Sequence, residues 1–145
     1  MAPDTAIGAI ALLSIHPEFS EAILDGRKRV EFRRSMFRRP VTHIVMYSTE
    51  PVGRLTGVLE VDTIDQGSPL QLWRKYHTVS GLTRARFFDY YEGARGAVAI
   101  RIARAWPLHT PMELRQLGGR ISPPQSFSYL SRQEYGVLVA AAFRG

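Results

Sequence analysis

The residues with the most chemistry in this chain lie close together, in Gly26-Arg27-Lys28-Arg29-Val30-Glu31-Phe32-Arg33-Arg34. An ammonium, a carboxylate and a guanidinium follow a glycine turn. Val30 and Phe32 alternate with Arg29, Glu31 and Arg33, which is the period of a β-strand, so Glu31 and Arg33 share a face. If that face is open, Lys28, Glu31 and Arg33 cluster at the mouth of a sheet. Arg33 could donate a bidentate pair to a phosphate or a base edge. Glu31 could hold Arg33 or Lys28 in place and accept from a base amino group. The competing reading is an ion pair on an exposed strand, worth little to stability.

Other side chains suit the same ligand. Arg33, Arg34, Arg38 and Arg39 put four arginines into seven residues of a turn-rich segment, a phosphate clamp that positions rather than reads sequence. Ser14, His16, Ser48 and Thr49 are expected at strand ends near the cleft, where they could bond a base or phosphate. Helix capping competes for Ser14 and His16. Tyr47 could stack on a base or fill the core. Gln125 and Ser126 follow two prolines on a stiff loop that could reach a base edge or merely connect elements. Trp73, Tyr76, Phe87, Phe88, Tyr90 and Tyr91 interleave with Arg74, Lys75, Arg84 and Arg86. That mixture suits single strands, and it also suits a packed insert with a wet arginine face.

Composition narrows the class. The chain has 145 residues, 45% of them hydrophobic, enough for one domain with its own core. It has no cysteine, which excludes disulfides, thiolate metal sites and a cysteine nucleophile. The net charge is +6, carried mostly by arginine, and a positive field of this kind attracts polyanions. His16, His43, His77 and His109 lack metal-ligand spacing. No phosphate-binding glycine loop or serine elbow is present. No metal or cofactor is expected, and no catalytic residue is assigned. No run approaches the ~20 apolar residues of a membrane span. Ile7 to Leu13 is a poor signal peptide without a basic segment before it. The expected location is the cytoplasm, with no membrane partner.

The elements that must position these residues can be read in outline. Residues 1–8 are expected to form a flexible tail, and Ala9 to Ile15 a strand. Pro17 to Asp25 suits a short helix with proline in its first turn and Gly26 behind its end. Strands are expected over Arg29–Arg33, Val41–Tyr47, Leu55–Ile64 and Arg95–Ala105. Ser68-Pro69 and Thr83 open two helices of an insert. Thr110-Pro111-Met112-Glu113 and Ser131-Arg132-Gln133-Glu134 read as capping boxes, the second opening a helix through Phe143. The sum is an α+β domain whose strands suggest a closed or nearly closed barrel.

Gly26, Lys28, Glu31 and Arg33 also resemble, in order and spacing, the signature of the ASCH domain family. Leu13-Ser14-Ile15-His16-Pro17 is similar to that family's opening strand and helix start. Tyr47-Ser48-Thr49-Glu50-Pro51 is similar to its second strand and turn, and Gly57–Ile64 to the strand after it. Pro123-Pro124-Gln125-Ser126-Phe127 resembles a segment of longer bacterial members. The resemblance covers nearly the whole chain and implies a single PUA-like domain over residues 1–145. That domain is a mixed β-barrel of about five or six strands with short flanking helices. It implies a nucleic-acid ligand, and relatives of the fold read modified bases after flipping them out.

The expectation is a DNA binder, favoured over RNA, that recognises a base such as methylated cytosine. An RNA-binding regulatory domain is the first alternative, and a hydrolase of modified cytidine or RNA the second. Some small ASCH-type proteins remove an acetyl group from cytidine with a lysine, a threonine and a glutamate. Lys28 matches their lysine, but Glu31 stands where they have threonine, and the later glutamate has no counterpart. Oligomeric state is left open.

Overall fold

The computed structural model describes residue 3 and residues 8–119 and 121–143. Its elements are β1 (Ala9–Ile15), α1 (Pro17–Leu24), β2 (Val30–Arg33), β3 (Val41–Ser48), β4 (Arg54–Gly67), α2 (Pro69–Tyr76), α3 (Arg84–Tyr90), β5 (Ala97–Met112), β6 (Phe127–Leu130) and α4 (Arg132–Phe143). The expected tail over 1–8 lies outside the described residues except for Pro3 and Gly8.

The strands form one mixed sheet in the order β2-β5-β4-β3-β1-β6. Only β1 and β3 run parallel among the described strands, joined by the crossover through α1 and β2. Strand alternation divides the core. Ala11, Leu13 and Ile15 of β1 and Val98, Ile100 and Ile102 of β5 join a central cluster. The opposite phase feeds two outer clusters. Ile10, Leu12, Val45 and Val58 pack beneath α4. Val30, Phe32, Ala97 and Ala99 pack beneath α2 and α3, around Phe87 and Tyr91.

The sheet curls around the central cluster. Strands β2 and β1 stand first and fifth in the order, about 19 Å apart if the sheet were flat. Instead Arg33 Nη1 on β2 donates to the Ser14 carbonyl on β1 at 3.4 Å. No ladder joins β2 to β6 among the described residues, so the barrel is not closed by backbone pairing. The loop from Arg34 to Pro40 runs along the seam. It buries Phe37 against Phe127 with ring centroids 4.8 Å apart. It ends where Pro40 accepts from the Ala9 amide.

Two strand ends differ from expectation. The capping box expected at Thr110–Glu113 is absent, because β5 continues to Met112. Glu113 instead caps a short 3₁₀ turn over Leu114–Leu117, reciprocally with Gln116. Strand β5 tolerates Pro107 and Pro111 because β2 pairs only with Val98–Arg101, leaving the later part of β5 with a free edge that needs no N–H. Strand β6, which pairs antiparallel with β1, follows the loop of Gln125 and Ser126 and is not among the strands expected from sequence. The caps at Ser68, Thr83 and Ser131 form as the spacing predicts.

Candidate nucleic-acid interface

The seam opens at one end into a cleft of about 510 Å³, within the range of about 300–1,000 Å³ typical of ligand sites. The end of β1 supplies Ser14, Ile15 and His16, and α1 supplies Phe19. Lys28, Glu31, Phe32 and Arg33 line it from the turn before β2 and from β2 itself. Arg86, Asp89 and Tyr90 reach it from α3.

Register explains why the charged face of β2 looks inward. Glu31 pairs with Ile100 and Arg33 with Val98, so both point to the side of the central cluster. Val30 and Phe32 point outward, where α2 and α3 cover them. The inward face is tolerable because it lies at the mouth and its charges are partnered. Glu31 is 7% exposed and accepts from Arg33 Nη1 at 3.2 Å. Arg33 Nη2 donates to Ser126 Oγ at 2.7 Å, which ties the β2 edge to the loop before β6.

Lys28 is 2% exposed. Its Nζ donates to the Ser80 carbonyl at 2.7 Å and lies 5.3 and 5.4 Å from the ring centroids of Phe19 and Phe32. Burial holds the ammonium below its ordinary basicity, against the opposing pull of Glu31, and Arg86 adds to the lowering. The turn that supplies the carbonyl is fixed by Gly81 at φ +66°, where a Cβ would come within 3.1 Å of Lys28 Cβ. Phenolic Tyr90 is raised, first by burial beside the cleft.

Thus Ser14, His16, Lys28, Glu31 and Arg33 share one hollow, with Ser126 bonded to it through Arg33. Arg34 stands at the rim, donating to the Tyr90 carbonyl and lying 5.1 Å over the Tyr90 ring. Arg38 and Arg39 sit farther along the seam. The Arg38 amide bonds the Tyr129 hydroxyl, and the Arg39 guanidinium lies 4.4 Å over the Tyr129 ring. Among the described residues, none of Arg34, Arg38 and Arg39 forms an ion pair.

Four expected site residues are not brought to the cleft. Tyr47 is 8% exposed and packs in the cluster beneath α4, because its phase on β3 is that of Val45. Ser48 is enclosed between α1 and β4, where its hydroxyl bonds those of Ser20 at 2.7 Å and Thr56 at 2.8 Å. Thr49 has its hydroxyl buried and does not line the cleft. Gln125 is exposed and also does not line it. Phe19, Arg86, Asp89 and Tyr90 are cleft residues that sequence spacing did not single out for the site. The aromatic and basic mixture of the insert was the available signal. What it lacked was the docking of α3 over β2.

Known proteins resemble this chain along most of its length. Residues 13–105 match the family model described as the ASCH domain. An ASCH domain-containing ribonuclease of Zymomonas mobilis subsp. mobilis is 33% identical over 134 residues, covering 90% of each chain. The crystal structure of ASCH from Zymomonas mobilis superposes with a TM-score of 0.83 at 32% identity, over 90% of this chain and 94% of that one. The N-terminal domain of Staphylothermus marinus McrB shares the fold alone, with a TM-score of 0.59 at 10% identity over 89% and 92% of the two chains.

Proposed function

We propose, from the premise that this chain belongs to the ASCH domain family, that it binds single-stranded RNA by seating one nucleotide in the cleft. The observation that carries this reading is the joint placement of Lys28, Glu31 and Arg33 on one hollow of about 510 Å³. Glu31 can accept from a base amino group while Arg33 and Lys28 face a phosphate or carbonyl oxygen. Phe19 and Tyr90 offer apolar ring surface beside them. The ribonuclease name of the Zymomonas relative favours RNA over the DNA expected from sequence.

The test is a binding panel at fixed salt, comparing single-stranded RNA, single-stranded DNA, and duplex DNA with and without cytosine methylation. RNA is expected to bind tightest. Tighter binding of methylated duplex DNA would return the cleft to the modified-base reading. Arg33→Ala is expected to weaken RNA binding by about 1–3 kcal/mol. Unchanged affinity in a folded variant would reduce Arg33 to a tie between β2 and Ser126.

Arg38 and Arg39 extend the same surface along the seam. Their residues rest beside Tyr129 rather than on carboxylates, so both guanidiniums are available to phosphates. Arg38→Ala with Arg39→Ala is expected to weaken all RNA sequences alike. The slope of log affinity on log salt should flatten by about 0.7 for each phosphate that is no longer neutralised. Weakening confined to one sequence would contradict a role at the phosphate backbone.

A second reading is RNA cleavage in the same cleft. It is favoured by His16 on the rim and by a lysine whose burial makes its amine easier to free. In this reaction the 2′-oxygen forms a bond to phosphorus as the bond from phosphorus to the 5′-oxygen breaks, leaving a 2′,3′-cyclic phosphate. Lys28 takes the 2′-hydroxyl proton and His16 supplies one to the departing 5′-oxygen. Arg33 faces the charge that develops on phosphorus.

A further inference from the structure

One ion pair at the cleft mouth has no part in seating the nucleotide. Arg86 on α3, which lines the cleft, pairs with Glu18 in the first turn of α1, next in sequence to the lining residue Phe19. Arg86 Nη1 donates to Glu18 Oε1 at 2.9 Å, and Nη2 to Oε2 at 3.3 Å. Both side chains are exposed, yet the Arg86 guanidinium also lies 5.0 Å over the ring of Phe19, a wall of the cleft.

We infer that Arg86 is a phosphate-binding residue, and that Glu18 occupies the place the phosphate takes. This inference rests on the cleft being a nucleotide site. Its ligand class is the phosphodiester next to the seated nucleotide.

A guanidinium grips two oxygens of a carboxylate with the same fork it offers to two oxygens of a phosphate. The Phe19 ring fixes that fork at the cleft wall, so it is pre-set toward the opening. An exposed ion pair contributes little to folding, so exchanging the carboxylate for a phosphate costs the fold little. Glu18 has a second effect while it stays in place. Among the described residues it neutralises the only cation that α3 contributes to the cleft lining. Polyanions must displace it, whereas an uncharged nucleoside recruits nothing from Arg86. Ligands carrying a phosphate at this position are thereby selected over those that lack one.

The experiment measures anisotropy of a fluorescein-labelled octauridylate with the wild-type chain, Glu18→Gln, Arg86→Ala, the double variant, and Arg33→Ala as the cleft control. Glu18→Gln is expected to tighten binding about threefold, and Arg86→Ala to weaken it about fivefold, the scale of an exposed charge interaction. Arg86→Ala should also flatten the salt slope by about 0.7. The double variant should match Arg86→Ala, because Glu18 acts through Arg86. If the double variant binds more tightly than Arg86→Ala, Glu18 merely repels RNA and the shared-position inference is overturned. If Arg33→Ala weakens binding while Glu18→Gln and Arg86→Ala change nothing, the inference falls and the cleft reading survives. If neither the wild type nor Glu18→Gln binds, both fall.

Discussion

Phe87→Ala is expected to lose about 3–5 kcal/mol of folding stability and to melt roughly 10 °C lower. Phe87 is fully buried at the centre of the cluster that docks the insert on β2 and β5. Its ring centroid lies 4.8 Å from Phe32, 4.9 Å from Trp73 and Tyr91, and 5.0 Å from Phe88. Truncation leaves a void among four rings, none of which can move without disturbing α2, α3 or β2. The damage reaches the cleft, because α3 carries Arg86, Asp89 and Tyr90, and the turn before it holds Lys28 through Ser80. RNA binding should therefore fall with the melting temperature. Thermal unfolding followed by circular dichroism, together with binding well below the midpoint, checks both. A loss under about 1 kcal/mol would mean the insert is not docked as described.

Lys28→Met is expected to reduce RNA cleavage by about 10²–10⁴-fold while the domain stays folded. Methionine keeps an unbranched stem against Phe19 and Phe32 and removes only the ammonium. Arg33 remains, so binding should fall less than turnover. Unchanged cleavage in a folded variant would exclude Lys28 as the base. If the wild type cleaves no RNA, the cleavage reading is dropped and the binding panel alone decides.

The same residue leaves a mark on stability. Burial lowers the folded-state pKa of Lys28 below its ordinary 10.5. Between those two values the unfolded chain binds more protons than the folded one. The Lys28 contribution to stability therefore rises with pH through that window, and its penalty is fully present below it. Urea midpoints of the wild type and Lys28→Met compared across the alkaline range should show this slope in the wild type alone.

Much of the fold was legible because local signals agreed with one another. Proline in the first turn of α1, glycine behind it, and the strict alternation of Val30 and Phe32 with Glu31 and Arg33 all specify one local structure. The caps at Ser68 and Thr83 did the same for the insert. What alternation could not supply was which side of each strand is the inner one. On β2 the apolar phase faces outward, because an amphipathic insert encoded much later in the chain covers it. Tyr47 does not reach the cleft for a related reason. Its neighbours in sequence suit the motif, but its strand phase commits it to the cluster beneath α4. Arg86 was missed because nothing within α3 states that the helix leans over the end of β1. The strand expected over Arg95–Ala105 runs on through Pro107 and Pro111 to Met112, and only the shortness of β2 shows why it can.

The pairing of β1 with β6 has a consequence for synthesis. Leu13 lies beside Phe127, and Ile10 beside Leu130, so the first strand of the sheet meets one neighbour only after every other strand has been made. Until then one margin of β1 presents free amides and carbonyls next to apolar side chains. Closing so long a loop adds an entropic cost that local pairs avoid. The nascent domain is thus open to mispairing with another chain until β6 arrives and ends that exposure.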